Sequence, residues 1–330
     1  MKVVIIGNGF DLRHKLPTRF SDFFRAFKNH YGKLNVILNY CEAINNSNGW
    51  LDFEQDLLLF FEHLSKFRNT MSFLAKKSIY RINKTDFITS PETMIFYDAI
   101  QSMEYEYFSK DSENGSIVIR DQRWTSLIIK DVLDDFNELK SYLKEYLTEV
   151  ESKYVSNQNK TMLNTREIKI LMEADKVYSF NYTDLLSQYG IKNVKFAHGS
   201  LKDEIILGIP FSTKIDIKEL HKLFKISQSI DLSLNTKIYD NLRDKLELYF
   251  VGFSFGASDH YFFQEVKDWI SKYTLNDYTK MPPIYFNFFC HSSDAKLDYL
   301  YNLRIFLGEE MLTRFDTARN IKFIMYDKIS

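Results

Sequence analysis

The sequence predicts an α/β fold: a Rossmann-like, mainly parallel sheet with a large, mostly α-helical insertion after the first strand. Three observations carry this. Val3, Val4, Ile5 and Ile6 are consecutive β-branched residues, the pattern of a strand buried on both faces. Gly7 and Gly9 break that strand at once. Strand patterns then return only after about residue 167, where they alternate with helical spacing.

From about Thr18 to about Arg166 the spacing is helical, as in Phe23, Phe24 and Phe27, and again in Leu57 to Phe61. Val132, Phe136, Leu139, Tyr142, Leu143, Tyr146, Leu147 and Val150 keep to one helical face. A polar turn at Asp111 to Gly115 predicts a short hairpin into Ile117–Ile119. Later strands are expected at Lys176–Phe180, Val194–Ala197, Ile205–Leu207, Leu246–Val251, Ile284–Phe289 and Lys322–Tyr326. Helical spacers are expected at Tyr261–Tyr273 and Ala295–Leu307. The expected organisation is a discontinuous nucleotide-binding core, residues 1–18 and 167–330, with residues 19–166 as a helical insertion or cap.

Composition narrows the function classes. The 330 residues carry 43 basic and 44 acidic side chains, a net charge of −1, which does not indicate a nucleic-acid partner. Two cysteines, Cys41 and Cys290, exclude a disulfide scaffold and a four-cysteine zinc site, and fit a reducing cytoplasm. The run Val3 to Ile6 is too short for a signal peptide, and no stretch approaches the roughly 18 apolar residues of a membrane span. No clear metal cluster is visible, and no metal is expected. Glycine is scarce, 11 residues, so each one is expected to mark a backbone position that needs it.

In parallel sheets ligands sit beyond the carboxyl ends of the strands, and polar motifs follow the strands here. After the first strand comes Gly7-Asn8-Gly9-Phe10-Asp11-Leu12, which has only two of the three glycines of the dinucleotide fingerprint; a nicotinamide-dependent dehydrogenase fits poorly. The two glycines could still let backbone N–H groups approach a phosphate. Later strands are followed by Asn181, Tyr182 and Asp184, and by His198 with Gly199. The last motif, Gly252-Phe253-Ser254-Phe255-Gly256, matches the nucleophile elbow of serine hydrolases, but the acid-then-histidine order downstream is not met cleanly. A plain tight turn is the preferred reading there. Asp11, Asp184 and Asp259 could also converge at the strand ends, where carboxylates serve equally as turn caps.

Together these motifs, with Leu16-Pro17-Thr18 and with Trp50 to Glu54 in the insertion, resemble the AbiH family of bacterial abortive-infection, phage-defence proteins. Their order and spacing are also similar to sirtuin-like NAD-binding domains. That second resemblance implies NAD as substrate or ligand, with Asn181 and His198 as the catalytic pair. It implies nucleotide contacts from Gly7, Asn8, Gly9, Phe10, Asp11, Pro17, Thr18, Tyr182, Asp184, Gly252, Ser254 and Asp259. Asp11 stands where those domains have a serine, and Thr183 where they have an acid. Two cysteines cannot build the zinc module of protein deacylases, which leaves hydrolysis of the nicotinamide–ribose bond as the expected chemistry. The alternatives are a non-catalytic nucleotide-sensing module and a serine hydrolase using Ser254. A homo-oligomer and a phage-derived trigger are expected partners. Glu54 is expected either to touch the site or to form a surface salt bridge.

Overall fold

Val3, Val4, Ile5 and Ile6 form the centre of β1 (Lys2–Ile6), and all four side chains are fully buried. The computed structural model describes residues 1–31, 35–45, 53–76, 81–82, 87–102, 108–110, 117–119, 124–156, 165–228, 245–276 and 281–326. Along the chain β1 is followed by three short strands, β2 (Arg81–Ile82), β3 (Phe108–Lys110) and β4 (Ile117–Ile119). These make a separate antiparallel sheet, ordered β2-β4-β3. The β3–β4 pairing agrees with the expected hairpin, whose turn at 111–116 lies outside the described residues.

The large sheet is completed by β5 (Lys176–Ser179), β6 (Val194–Phe196), β7 (Leu246–Val251), β8 (Ile284–Cys290) and β9 (Ile321–Met325). Its order is β6-β5-β1-β7-β8-β9, and every pairing is parallel. Numbered within this sheet alone, the order is 3-2-1-4-5-6, the doubly wound arrangement, with its reversal between β1 and β7.

Residues pack on both faces of the sheet, which is why its central strand β1 reads as an unbroken apolar run from Val3 to Ile6. Val3, Ile5, Tyr178, Leu248, Phe250, Phe286 and Phe288 pack on one side with Phe262, Phe263, Leu303 and Phe306. Val4, Ile6, Val177, Val251 and Phe289 pack on the other with Phe10, Leu16, Val150 and Leu171. The helix Asn8–Arg13 is tied to the helix Thr165–Met172 by a bidentate Arg13–Glu167 pair, and the Arg13 guanidinium also lies over the Tyr326 ring at 4.3 Å.

The chain divides into two compact units. One contains Met1–Arg19, Lys144–Ile206 and Ser229–Ser330, and holds the large sheet. The other contains Phe20–Leu143 and Leu207–Gln228. In the second unit Tyr40, Phe60, Phe61, Phe67, Phe96 and Phe136 form an aromatic core, all at most 2% exposed. The boundaries thus differ from 1–18, 19–166 and 167–330 at Arg19 and at two longer segments. Lys144–Arg166 goes with the sheet, because the helix Trp124–Ser156 carries Val150 into the sheet's core. Leu207–Gln228 goes with the helical unit. The expected strand Ile205–Leu207 is irregular backbone. Its three side chains are buried, and the Ile206 N–H donates to the His198 carbonyl at 2.6 Å, so its apolarity reflects burial without a ladder position. Among the described residues no helix is long and apolar enough to cross a membrane.

Candidate functional site

Four neighbouring strands end in register: Phe196 beside Ser179, Ser179 beside Ile6, and Ile6 beside Val251. The segments bearing His198, Asn181, Gly7 and Gly252 therefore leave one edge of the sheet. With strands about 4.8 Å apart, the ends of β6 and β1 lie roughly 10 Å from each other.

The turns after β1 and β7 interlock. The Gly7 N–H donates to the Val251 carbonyl at 3.1 Å, and the Gly9 N–H to the Gly252 carbonyl at 2.8 Å. A Cβ on Gly252 would sit 2.2 Å from the Phe10 nitrogen, and Gly252 has φ +61. Glycine is thus dictated by backbone-on-backbone contact at the switch point. The Phe10 N–H is also used, bonding the Gly7 carbonyl at 2.9 Å. The N–H groups of Gly7, Gly9 and Phe10, expected to face a phosphate, are therefore committed to the fold. Phe10 itself is buried and packs against His14 with the rings tilted and 4.5 Å between ring centroids. Further on, the Thr18 hydroxyl donates to Asn8 Oδ1 at 2.5 Å and Asn8 Nδ2 donates to the Thr18 carbonyl at 3.2 Å. Pro17 lies in this clasp, its carbonyl accepting from the Tyr146 hydroxyl at 2.7 Å.

Helix Asn8–Arg13 points Asp11 at the segment after β5. Asp11 is 2% exposed and accepts from Asn181 Nδ2 at 2.8 Å and from the Thr183 hydroxyl at 2.5 Å. Burial pushes its carboxyl up to about 7, against the opposing pull of those two hydrogen bonds. The Asn181 backbone is held in turn by the Ser179 hydroxyl, to which its N–H donates at 3.2 Å. Asn181 Oδ1 is buried and receives no hydrogen bond. An acceptor left so costs about 1–3 kcal/mol, a reason to look for a donor that belongs there.

After β6, His198 is 6% exposed, and its Nε2 lies 3.2 Å from Asp259 Oδ1. The Phe180 ring meets the imidazole edge-on at 4.9 Å and packs against Phe253 at 4.5 Å. Gly199 has φ +73, and a Cβ there would strike the Glu204 carbonyl at 1.9 Å. The chain returning past Gly199 places the Ile206 carbonyl 3.1 Å from the Tyr182 hydroxyl, which donates to it. Asp184 is paired with Lys202 at 2.7 Å. Thr183, singled out only as a departure from an expected acid, is the second partner of Asp11. The pairing of Asp259 with His198 was likewise not legible, because 61 residues separate them in the sequence.

Ser254 is exposed, and its carbonyl accepts from Asn302 Nδ2 at 3.0 Å. The left-handed conformations of this turn belong to Gly252 and Phe255, not to Ser254. The adjacent His260 directs Nε2 to the Phe255 carbonyl at 3.3 Å. A strained, histidine-activated serine of the hydrolase kind is not what this turn builds.

In the helical unit Glu54 pairs with Lys225 at 2.6 Å, and the Lys225 side chain is fully buried. Of the two expectations for Glu54, contact with the site or a surface salt bridge, the structure shows a salt bridge, and a part-buried one. The same unit holds a cavity of about 520 Å³ lined by Glu62, His63, Lys66, Thr93 and Lys214 among others, where Lys214 and Glu62 bond each other at 3.1 Å. Among the described residues no group of histidine, cysteine, aspartate or glutamate side chains is placed to hold a metal ion.

Comparison with known sequences returns one family description, "Bacteriophage abortive infection AbiH", matching residues 3–276. No curated protein and no solved structure gives a match. The matched span contains every strand-end residue described above, from Gly7 to Asp259, and both compact units contribute to it. The chain belongs to the AbiH family, and its role is in abortive infection as a defence against bacteriophage.

Proposed function

We propose that the sheet edge formed by β1, β5, β6 and β7 binds NAD or a closely related nucleotide and hydrolyses its nicotinamide–ribose bond, depleting the infected cell. The observation that carries this reading is the buried, unbonded Asn181 Oδ1 on the same edge as a buried histidine–carboxylate pair. A ribose supplies the missing donor through its hydroxyls. The switch point of a doubly wound sheet is where such a ligand is expected.

The residues divide the work as follows. Asn181 accepts a hydrogen bond from a ribose hydroxyl and fixes the sugar. His198 takes a proton from the attacking water or from that hydroxyl. Asp259 accepts from His198 Nε2–H, which leaves the basic electron pair on Nδ1 and stabilises the imidazolium as it forms. Water adds to the ribose carbon, nicotinamide leaves with the electrons of the broken bond, and the proton of the water ends on the histidine. The sirtuin-like order of motifs supports the assignment of Asn181 and His198. The glycines Gly7, Gly9 and Gly252 contribute shape to the switch point; Asn8 and Thr18 contribute polar atoms near it.

The test is incubation of purified protein with NAD, with nicotinamide and ADP-ribose followed by chromatography. Wild type should release both in equal amounts. His198→Gln should lower the rate by about 10²–10⁴, the usual worth of a general base. Binding of NAD with no release of nicotinamide would leave a nucleotide-sensing module in place of an enzyme. Neither binding nor release would end the nucleotide reading.

A further inference from the structure

The Asn181 amide is gripped from one side only. Its Nδ2 donates to Asp11 Oδ1 at 2.8 Å, while Oδ1 is buried and receives nothing. The other Asp11 oxygen is occupied by the Thr183 hydroxyl at 2.5 Å. Turning the amide over would set its oxygen against the carboxylate oxygen, two acceptors in contact, and would lose a charge-assisted hydrogen bond. Ser179 fixes the backbone beneath, donating to the Asn181 carbonyl at 3.3 Å and accepting from its N–H at 3.2 Å. The whole group is buried: Asp11, Ser179, Asn181 and Thr183 are each at most 6% exposed.

We propose that Asp11 is a positioning residue that, with Thr183, locks the Asn181 amide with its oxygen presented to the ligand, so the ligand must bring a hydroxyl or N–H donor to that point. An asparagine without this lock offers either a donor or an acceptor and does not discriminate. With it, the site accepts a hydroxylated sugar and rejects one that lacks the hydroxyl, because the buried oxygen then stays unbonded. This extends the nucleotide reading: the group read out there would be a ribose hydroxyl. The carboxyl, already close to its titration midpoint near neutral pH, keeps its Thr183 contact in either protonation state, since a hydroxyl both donates and accepts.

Two measurements test it. In the full chain with isotope-labelled asparagine side chains, the Asn181 amide pair is identified as the signal missing from Asn181→Ser. One of its protons should exchange with water at least about tenfold more slowly than in exposed asparagines, and Asp11→Leu, which removes the acceptor at similar volume, should abolish that protection. A pair that exchanges as fast as exposed asparagines, or that Asp11→Leu leaves unmoved, overturns the proposal without any ligand.

The second measurement uses ADP-ribose and its analogue lacking the terminal-ribose hydroxyls. Wild type should bind the analogue roughly tenfold or more weakly, and Asp11→Leu should shrink that ratio toward one. An equal ratio in both proteins overturns the positioning role while leaving nucleotide binding intact. Failure of ADP-ribose and NAD to bind wild type at all is the failure of the nucleotide reading, and the amide measurement then decides the lock by itself.

Discussion

Asp11 and Asn181 stand 170 positions apart in the chain and are joined by a buried 2.8 Å hydrogen bond. The bond links the first helix of the sheet unit to the segment that leaves β5, and it turns an ambiguous amide into a defined one. The expected consequences concern activity, titration and stability.

Asn181→Ala should lose nearly all catalytic activity, whereas Ser254→Ala should keep most of it. Asn181 is buried beside Asp11, while Ser254 is exposed and its carbonyl accepts from Asn302 Nδ2. A covalent nucleophile would be indispensable. Labelling of Ser254 by a fluorophosphonate probe, or loss of activity in Ser254→Ala comparable with that of Asn181→Ala, would reverse the order.

Asp11 should make stability fall as pH rises through the range between its unfolded and folded pKa values. Its carboxyl is raised from the ordinary 3.8 to about 7, so the folded state holds a proton that the unfolded state has released. Below the ordinary value there is no difference; above about 7 the full penalty, of the order of 4 kcal/mol, is in place. Glu151 faces the group and adds to the rise, while Thr183 and Asn181 oppose it; Tyr154 on the same helix as Glu151 senses the charge. Asp11→Asn removes the penalty. Its melting temperature relative to wild type should therefore increase between about pH 4 and pH 7, a trend that parallel thermal melts would read directly.

Glu54→Gln should destabilise the protein by about 3–5 kcal/mol. The Lys225 ammonium is fully buried and bonded to Glu54 at 2.6 Å. A neutral amide in its place removes the full negative charge that Glu54 sets against this desolvated cation. Denaturant unfolding that shows wild-type stability would mean Lys225 is neutral or otherwise compensated.

Gly252→Ala should cost at least about 2 kcal/mol, the sum of a left-handed backbone penalty and a collision. Gly252 has φ +61, and the new Cβ would lie 2.2 Å from the Phe10 nitrogen. Gly190→Ala is the natural control, with φ +76 but open space around it, and should cost only the backbone part. Equal losses in the two variants would deny the interlocked turns their role.

The sheet was legible because parallel strands buried on both faces need continuous apolar runs, and this sequence spells them from Val3 to Ile6 and from Leu248 to Val251. The strand ends were legible too, because scarce glycines and isolated polar residues cluster just past those runs. Ile205–Leu207 misled for the same physical reason: burial demands apolar residues whether or not the backbone joins a ladder.

The sequence by itself determined the positions of the six strands of the large sheet, the helical face from Val132 to Val150, the edge on which polar residues gather, and family membership through motifs from Gly7 to Ser254, within the matched residues 3–276. Only the tertiary structure decided which of those polar residues meet. Asp11 reaches Asn181 and Thr183, His198 reaches Asp259, and Glu54 reaches Lys225, across separations of 61 to 172 positions. The physical reason is that burial and periodicity are local properties, written residue by residue. A hydrogen bond between distant segments depends on strand order, register and the path of each turn, and these exist only once the sheet has closed its faces.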